Sequence, residues 1–130
     1  MACLGMEGGK TQQTVLVVED EFFIRMSAIA TLEDAGFFVL GAKNSAEALE
    51  ILSRHSEIDV LMTDVRMPGL MDGLALIAQV QMDHPAIRSI VVSGNASAEQ
   101  ARNAGAFGFV AKPYLPKTIL QALDAAVLRH

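Results

Sequence analysis

The stretch VLVVEDE, Val15–Glu21, decides the fold. Its four aliphatic residues, Val15–Val18, read as a short strand. The apolar run is continuous and not alternating, so the strand is expected to be covered on both faces, as in a parallel sheet. It ends on two carboxylates, Glu19 and Asp20, and passes directly into a helical pattern.

Working outward, the same unit recurs. Phe37–Leu40, Ile58–Thr63, Ile87–Val92 and Phe107–Val110 are further short, β-rich runs. Between them lie amphipathic stretches. In the first, Phe22, Met26, Ile29 and Leu32 or Glu33 follow three-to-four-residue spacing, and Gly36 supplies the stop. The second runs from Ser45 as N-cap, with Ala46, Leu49 and Leu52 on one face. The third spans Asp72 to Met82, with Leu74, Ile77 and Val80 or Gln81 near one stripe before Pro85. A short fourth segment follows Ser97. The last begins at Pro116, a good first-turn residue, and buries Ile119, Leu120, Leu123 and Val127. Five strict alternations of strand and helix predict a doubly wound α/β domain with right-handed crossovers. The second strand, ending near Lys43-Asn44, is expected at the outer edge of the sheet.

Composition bounds the function. A chain of 130 residues suits one domain, and 52% hydrophobic with 19% charged residues excludes a disordered one. No apolar run approaches the roughly 18 residues of a membrane span, and MACLGMEGGKTQQ has no basic region followed by an apolar stretch. Cys3 is the only cysteine, which excludes an internal disulfide and a multi-cysteine zinc site. A net charge of −5 is opposite to the footprint of a nucleic-acid binder. Residues 1–13 read as a flexible leader, with Met6 an alternative start, and 14–130 as the domain. The expectation is a soluble cytoplasmic protein with no membrane insertion and no direct nucleic-acid contact.

Open α/β sheets place their sites beyond the carboxyl ends of the strands. There the sequence sets Glu19-Asp20, Asp64, Ser93 and Lys112-Pro113. Each has an ordinary reading alone. Asp20 suits a helix cap, Asp64 a strand-to-loop carboxylate, Ser93 before Gly94 a turn, and Lys112 a solvated surface. Together on one rim they read as a site. Three carboxylates against one ammonium suit a hard divalent cation such as Mg²⁺, which takes oxygen ligands and often phosphate oxygens. A carboxylate beside that ion and facing a lysine is also a nucleophile toward phosphorus, and a serine hydroxyl can hold a further oxygen. No histidine lies beside these positions, against a transition-metal site.

The motifs VLVVEDE, DVRMPG at Asp64, VVSG at Ser93 and FVAKPY at Lys112 resemble the receiver domain of two-component response regulators, from about Thr14 to the end. The resemblance implies a flavodoxin-like (βα)5 fold with parallel strand order 2-1-3-4-5. It implies Asp64 as phosphoacceptor, Asp20 as direct Mg²⁺ ligand, Glu19 as its acidic neighbour acting through water, and the Arg66 backbone carbonyl as a further ligand. Ser93 would be the switch hydroxyl, Phe109 the switch aromatic, Lys112 the motif lysine, and the bond to Pro113 cis. The implied donor is a phosphohistidine on a sensor histidine kinase or histidine phosphotransfer protein, with a downstream protein target and a homodimer as further associations. Such a domain is a self-catalysing phosphoacceptor with slow autodephosphorylation and not a turnover enzyme.

The sequence also departs from the family pattern. Glu19 replaces the commoner aspartate, and Phe109 lacks a hydroxyl. PGLMDG is one residue longer than the usual turn, and Ser93–Lys112 is short by nearly one helical turn, which trims the fourth helix. Arg66 and Asn95 flank the acceptor and the switch hydroxyl, where neighbours tune loss of the phosphoryl group. For Phe22 and Phe23 core packing is the preferred reading, with an exposed docking aromatic the alternative. The leading expectation is a stand-alone receiver, with a piece of a larger hybrid kinase or regulator as its variant. An aspartyl-phosphate phosphatase would need an acid–base carboxylate just after the nucleophile, where Val65 and Arg66 stand. A flavin binder would need a phosphate loop where Glu19-Asp20 repel anions. A degenerate receiver that binds partners unphosphorylated is disfavoured by the full set of site residues.

Overall fold

A computed structural model describes residues 12–128. Most of the expected leader, with Cys3 and Met6, and the terminal Arg129-His130 lie outside the described residues. Strands β1 (Thr14–Val18), β2 (Phe38–Ala42), β3 (Val60–Asp64), β4 (Arg88–Ser93) and β5 (Gly108–Ala111) alternate with five helices. These are α1 (Phe22–Asp34), α2 (Ser45–Arg54), α3 (Gly73–Asp83), α4 (Ala98–Ala104) and α5 (Pro116–Leu128). The strands form one parallel sheet in the order β2-β1-β3-β4-β5, as anticipated. Among the described residues no helix is long and apolar enough to cross a membrane.

The continuous apolar strands have the expected cause. Every residue of β1 is buried, and its side chains alternate between two cores. Leu16 and Val18 pack with Leu61, Val91 and residues of α2, α3 and α4 such as Leu52, Ile77 and Ala101. Val15 and Val17 pack on the opposite face with Val60, Ile90 and residues of α1 and α5 such as Leu32 and Leu123. Burying both faces removes the polar alternation that a one-sided sheet would show.

Three local expectations are corrected. Asn44, and not Ser45, caps α2: its Oδ1 accepts the Glu47 N–H at 2.8 Å, and the Glu47 carboxylate accepts the Lys43 N–H at 2.7 Å. Ser45 is instead the first helical residue, buried, and donates its hydroxyl to the Met71 carbonyl. β2 begins at Phe38 because the Phe37 N–H closes the end of α1 on the Leu32 carbonyl, while Gly36 takes the left-handed conformation at φ +99°. In α1 the inward residues are Ala28, Ile29 and Leu32. Phe22 and Met26 of the expected stripe point outward, and so does Phe23, at 76% exposure. Core packing of the two phenylalanines is therefore overturned.

Other ends match their sequence signals. Asp72 caps α3, and Ser97 and Gln100 form a reciprocal capping box on α4. At seven residues α4 is the shortest of the five helices.

Candidate functional site

Parallel strands deliver their carboxyl ends to one rim, and four of the predicted residues converge there. Glu19 follows β1, Asp64 ends β3 and Lys112 follows β5. The Lys112 Nζ donates to Asp64 Oδ2 at 3.0 Å and to Glu19 Oε1 at 3.4 Å. Asp20, exposed on the outer side, completes a cluster in which one carboxylate oxygen each from Glu19, Asp20 and Asp64 lie within 4.8 Å of one another. Backbone groups hold the cluster in place. Glu19 Oε2 accepts the Glu21 N–H, and the Arg25 guanidinium donates to the Glu19 carbonyl at 2.8 Å. Asp64 Oδ1 accepts the Val65 N–H at 2.7 Å. Asp20 does not cap α1; the Glu21 side chain does.

The electrostatics follow from partial burial. Burial pushes the Glu19 carboxyl above its ordinary range, and the Asp64 charge adds to this. The Glu21 N–H and the Lys112 ammonium oppose it. Burial alone would lower Lys112, but its hydrogen bond and charge pairing with Asp64, aided by Glu19, outweigh that and raise it. Tyr114, in the same cleft beside Glu19, Asp64 and Lys112, is raised chiefly by burial. The lysine is thus a fixed cation, and the carboxylates crowd one another.

The remaining predicted residues surround this centre at different depths. Ser93 ends β4 and is buried; its Oγ accepts the N–H groups of Asn95 and Ala96 at 3.1 and 3.0 Å. Its carbonyl accepts the Lys112 N–H, which ties the two residues through the backbone. The Lys112–Pro113 bond is cis. Phe109, on β5, is half-buried against the core shared by α2, α3 and α4. Arg66 and Asn95 are exposed.

Arg25, Tyr114 and Gly73 were not singled out from the sequence, and Gly73 has the tightest fit. Gly73, the first residue of α3, donates its N–H to the Val65 carbonyl at 2.8 Å. A Cβ there would run into the Asp64 carbonyl oxygen and the Val65 Cα. The helix therefore packs directly on the backbone that presents Asp64. The available signal was a glycine just after the cap Asp72, at a helical position where glycine is unfavourable.

With this geometry, the comparison with known proteins is direct. Residues 15–124 match the model of the response regulator receiver domain. The chain belongs to that family. Over 110 residues, 82% of its length, the receiver is 42% identical to the sensor kinase CckA of Brucella abortus. Over 103 residues, 77% of its length, it is 39% identical to the DNA-binding transcriptional regulator NtrC of Escherichia coli K12. The matched parts are 12% and 22% of those relatives, so the chain spans a minor share of either protein. A receiver domain crystal structure from Clostridium thermocellum superposes with a TM-score of 0.84 at 30% identity, covering 90% of this chain and 95% of that one.

The donor set of the receiver fits a hard cation. The three clustered groups are all carboxylates, and among the described residues neither histidine nor cysteine joins them. Glu19, Asp20 and Asp64 would hold Mg²⁺, which takes such oxygen ligands together with water and would neutralise charge at this rim.

Proposed function

We infer that this receiver accepts a phosphoryl group on Asp64 from a phosphohistidine of a sensor histidine kinase or histidine phosphotransfer protein. The observation that carries the reading is the Asp64–Lys112 contact inside the acidic cluster. Asp64 is held at both carboxylate oxygens, one by a backbone N–H and one by a fixed ammonium. A carboxylate oxygen of Asp64 forms the new O–P bond as the P–N bond to the donor imidazole breaks, and the imidazole leaves with a proton. Lys112 compensates charge on the transferring group from the same side.

Glu19, Asp20, Asp64 and the Arg66 carbonyl would hold Mg²⁺, with Glu19 acting through water. When bound, that ion supplies charge neutralisation for the phosphoryl oxygens. Ser93 then has two roles. Its Oγ caps the β4–α4 turn, and its hydroxyl proton is donated toward the phosphoryl group as the turn shifts. Phe109, lacking a hydroxyl, follows by packing alone. The output is a population shift: a protein partner binds the phosphorylated arrangement better. Loss of the acyl phosphate by hydrolysis is slow self-catalysis, and the domain turns over no free substrate.

The test is incubation with a small acyl-phosphate donor and Mg²⁺, read by intact mass. One labile phosphoryl adduct is expected, absent in Asp64→Asn and absent without metal. Turnover of assorted phosphate esters with no adduct would refute the reading.

A further inference from the structure

Arg25 stands in the first turn of α1, where the helix dipole disfavours a cation. Among the described residues its guanidinium has no carboxylate partner. The side chain is nevertheless held at three points. Its Nη1 donates to the Glu19 carbonyl at 2.8 Å, and its Cζ lies 5.5 Å from the centre of the Phe22 ring. Its stem crosses Gly41 of β2, where a Cβ would stand 3.6 Å from the Arg25 Cδ.

What this contact holds is the peptide between Glu19 and Asp20. The Glu19 N–H donates to the Ala42 carbonyl at 3.0 Å, just past the last paired residues of β1 and β2. The Glu19 carbonyl lies beyond that rung, and Arg25 is its partner. A peptide unit is planar, so fixing this oxygen fixes the plane that carries the Asp20 Cα.

The three clustered carboxylates differ in how they are held. Glu19 and Asp64 each accept a backbone N–H on one oxygen and the Lys112 ammonium on the other. The exposed Asp20 side chain has no hydrogen bond or ion pair among the described residues. Its place in the cluster therefore comes from its backbone.

We propose that Arg25 is a positioning residue for the metal, aiming the Asp20 carboxylate at Mg²⁺ through the Glu19–Asp20 peptide. The proposal rests on the acidic cluster being the Mg²⁺ site, as inferred above. Position and charge predict opposite signs. A cation near the cluster repels Mg²⁺, so a residue acting through its charge alone would, when removed, leave the ion bound more tightly. A residue acting through its hydrogen bond would, when removed, leave the ion bound more weakly. The geometry points to the second, because the guanidinium is turned to a carbonyl and to none of the three carboxylates.

Calorimetric titration of the metal-free full chain with magnesium chloride, well below the melting transition, tests this. Arg25→Met keeps an unbranched stem across Gly41 and removes the donor. Its Mg²⁺ dissociation constant should rise about tenfold or more, as for loss of other groups that orient a metal ligand. Arg25→Lys keeps a cationic donor on a flexible stem and should stay within about threefold of wild type. Unchanged or tighter binding in Arg25→Met would overturn the proposal while leaving the Mg²⁺ site intact. A wild type that binds no Mg²⁺ would overturn the site itself, and the proposal with it.

Discussion

The interior of the sheet and its carboxyl-end rim are built from the same strands on opposite principles. Within β1, β3 and β4 nearly every side chain is buried, and the apolar ones divide between two cores, one on each face. A residue beyond β1, three carboxylates gather within 4.8 Å beside a single ammonium. The interior holds the molecule together by removing apolar surface from water. The rim holds like charges together at the expense of stability, and burial of Glu19 makes this measurable. The difference teaches that the fold stabilises a site that would not stabilise itself.

The largest effect should appear where the two regions join. Gly73→Ala forces a Cβ into the Asp64 and Val65 backbone, which cannot yield as a flexible side chain would. Chemical denaturation should show a loss at the upper end of the about 1–3 kcal/mol typical of overpacking, or more. Gly94→Ala is the control, because its Cβ would meet only the Lys112 Cβ at 3.8 Å, an ordinary contact. Equal losses in the two variants would show that the α3–β3 approach is not special.

Next comes the charge crowding itself. Saturating Mg²⁺ should raise unfolding stability, by about 2.7 kcal/mol at a hundred times its dissociation constant. Without metal, Glu19→Gln should be more stable than wild type at pH 7, by under about 1 kcal/mol given solvent screening. The sign follows from linkage. The folded carboxyl of Glu19 is raised above its ordinary 4.5, so above that pH the native state binds more protons than the unfolded one. Wild-type stability from this group therefore falls as pH rises past 4.5 through the folded value, and the slope is absent in the variant. A metal-free wild type that gained stability relative to Glu19→Gln over that window would contradict the burial argument.

The smallest effect belongs to the interior. Ser89 on β4 is buried, and among the described residues its Oγ has no hydrogen-bond partner. Ser89→Ala removes a desolvated polar atom and should be neutral or stabilising by up to about 1 kcal/mol in thermal unfolding. A loss of that size would mean the hydroxyl has a partner.

How much of this was legible in the sequence differs between the same two regions. The strands and their order could be anticipated because burial on both faces leaves continuous runs such as Val15–Val18, and because strand ends converge in a parallel sheet. Glu19, Asp20, Asp64 and Lys112 were accordingly found together. The rotation of α1 was not legible: Phe22, Phe23, Ile24 and Met26 are apolar on successive sides, so no single stripe marks the buried face. The cap of α2 was ambiguous between adjacent Asn44 and Ser45, and only the Glu47 contacts decide it. Gly73 escaped because its role depends on a through-space approach to the Asp64 backbone that spacing does not encode.

The central claim is that the rim is one phosphoryl-accepting site with Asp64 as the acceptor. Borohydride reduces an acyl phosphate and leaves homoserine in place of the modified aspartate. After phosphorylation with a small donor and Mg²⁺, peptide mapping of the reduced chain should find homoserine at position 64 alone. Homoserine at position 20, or stable phosphate on His55 or His84 with position 64 unchanged, would contradict it.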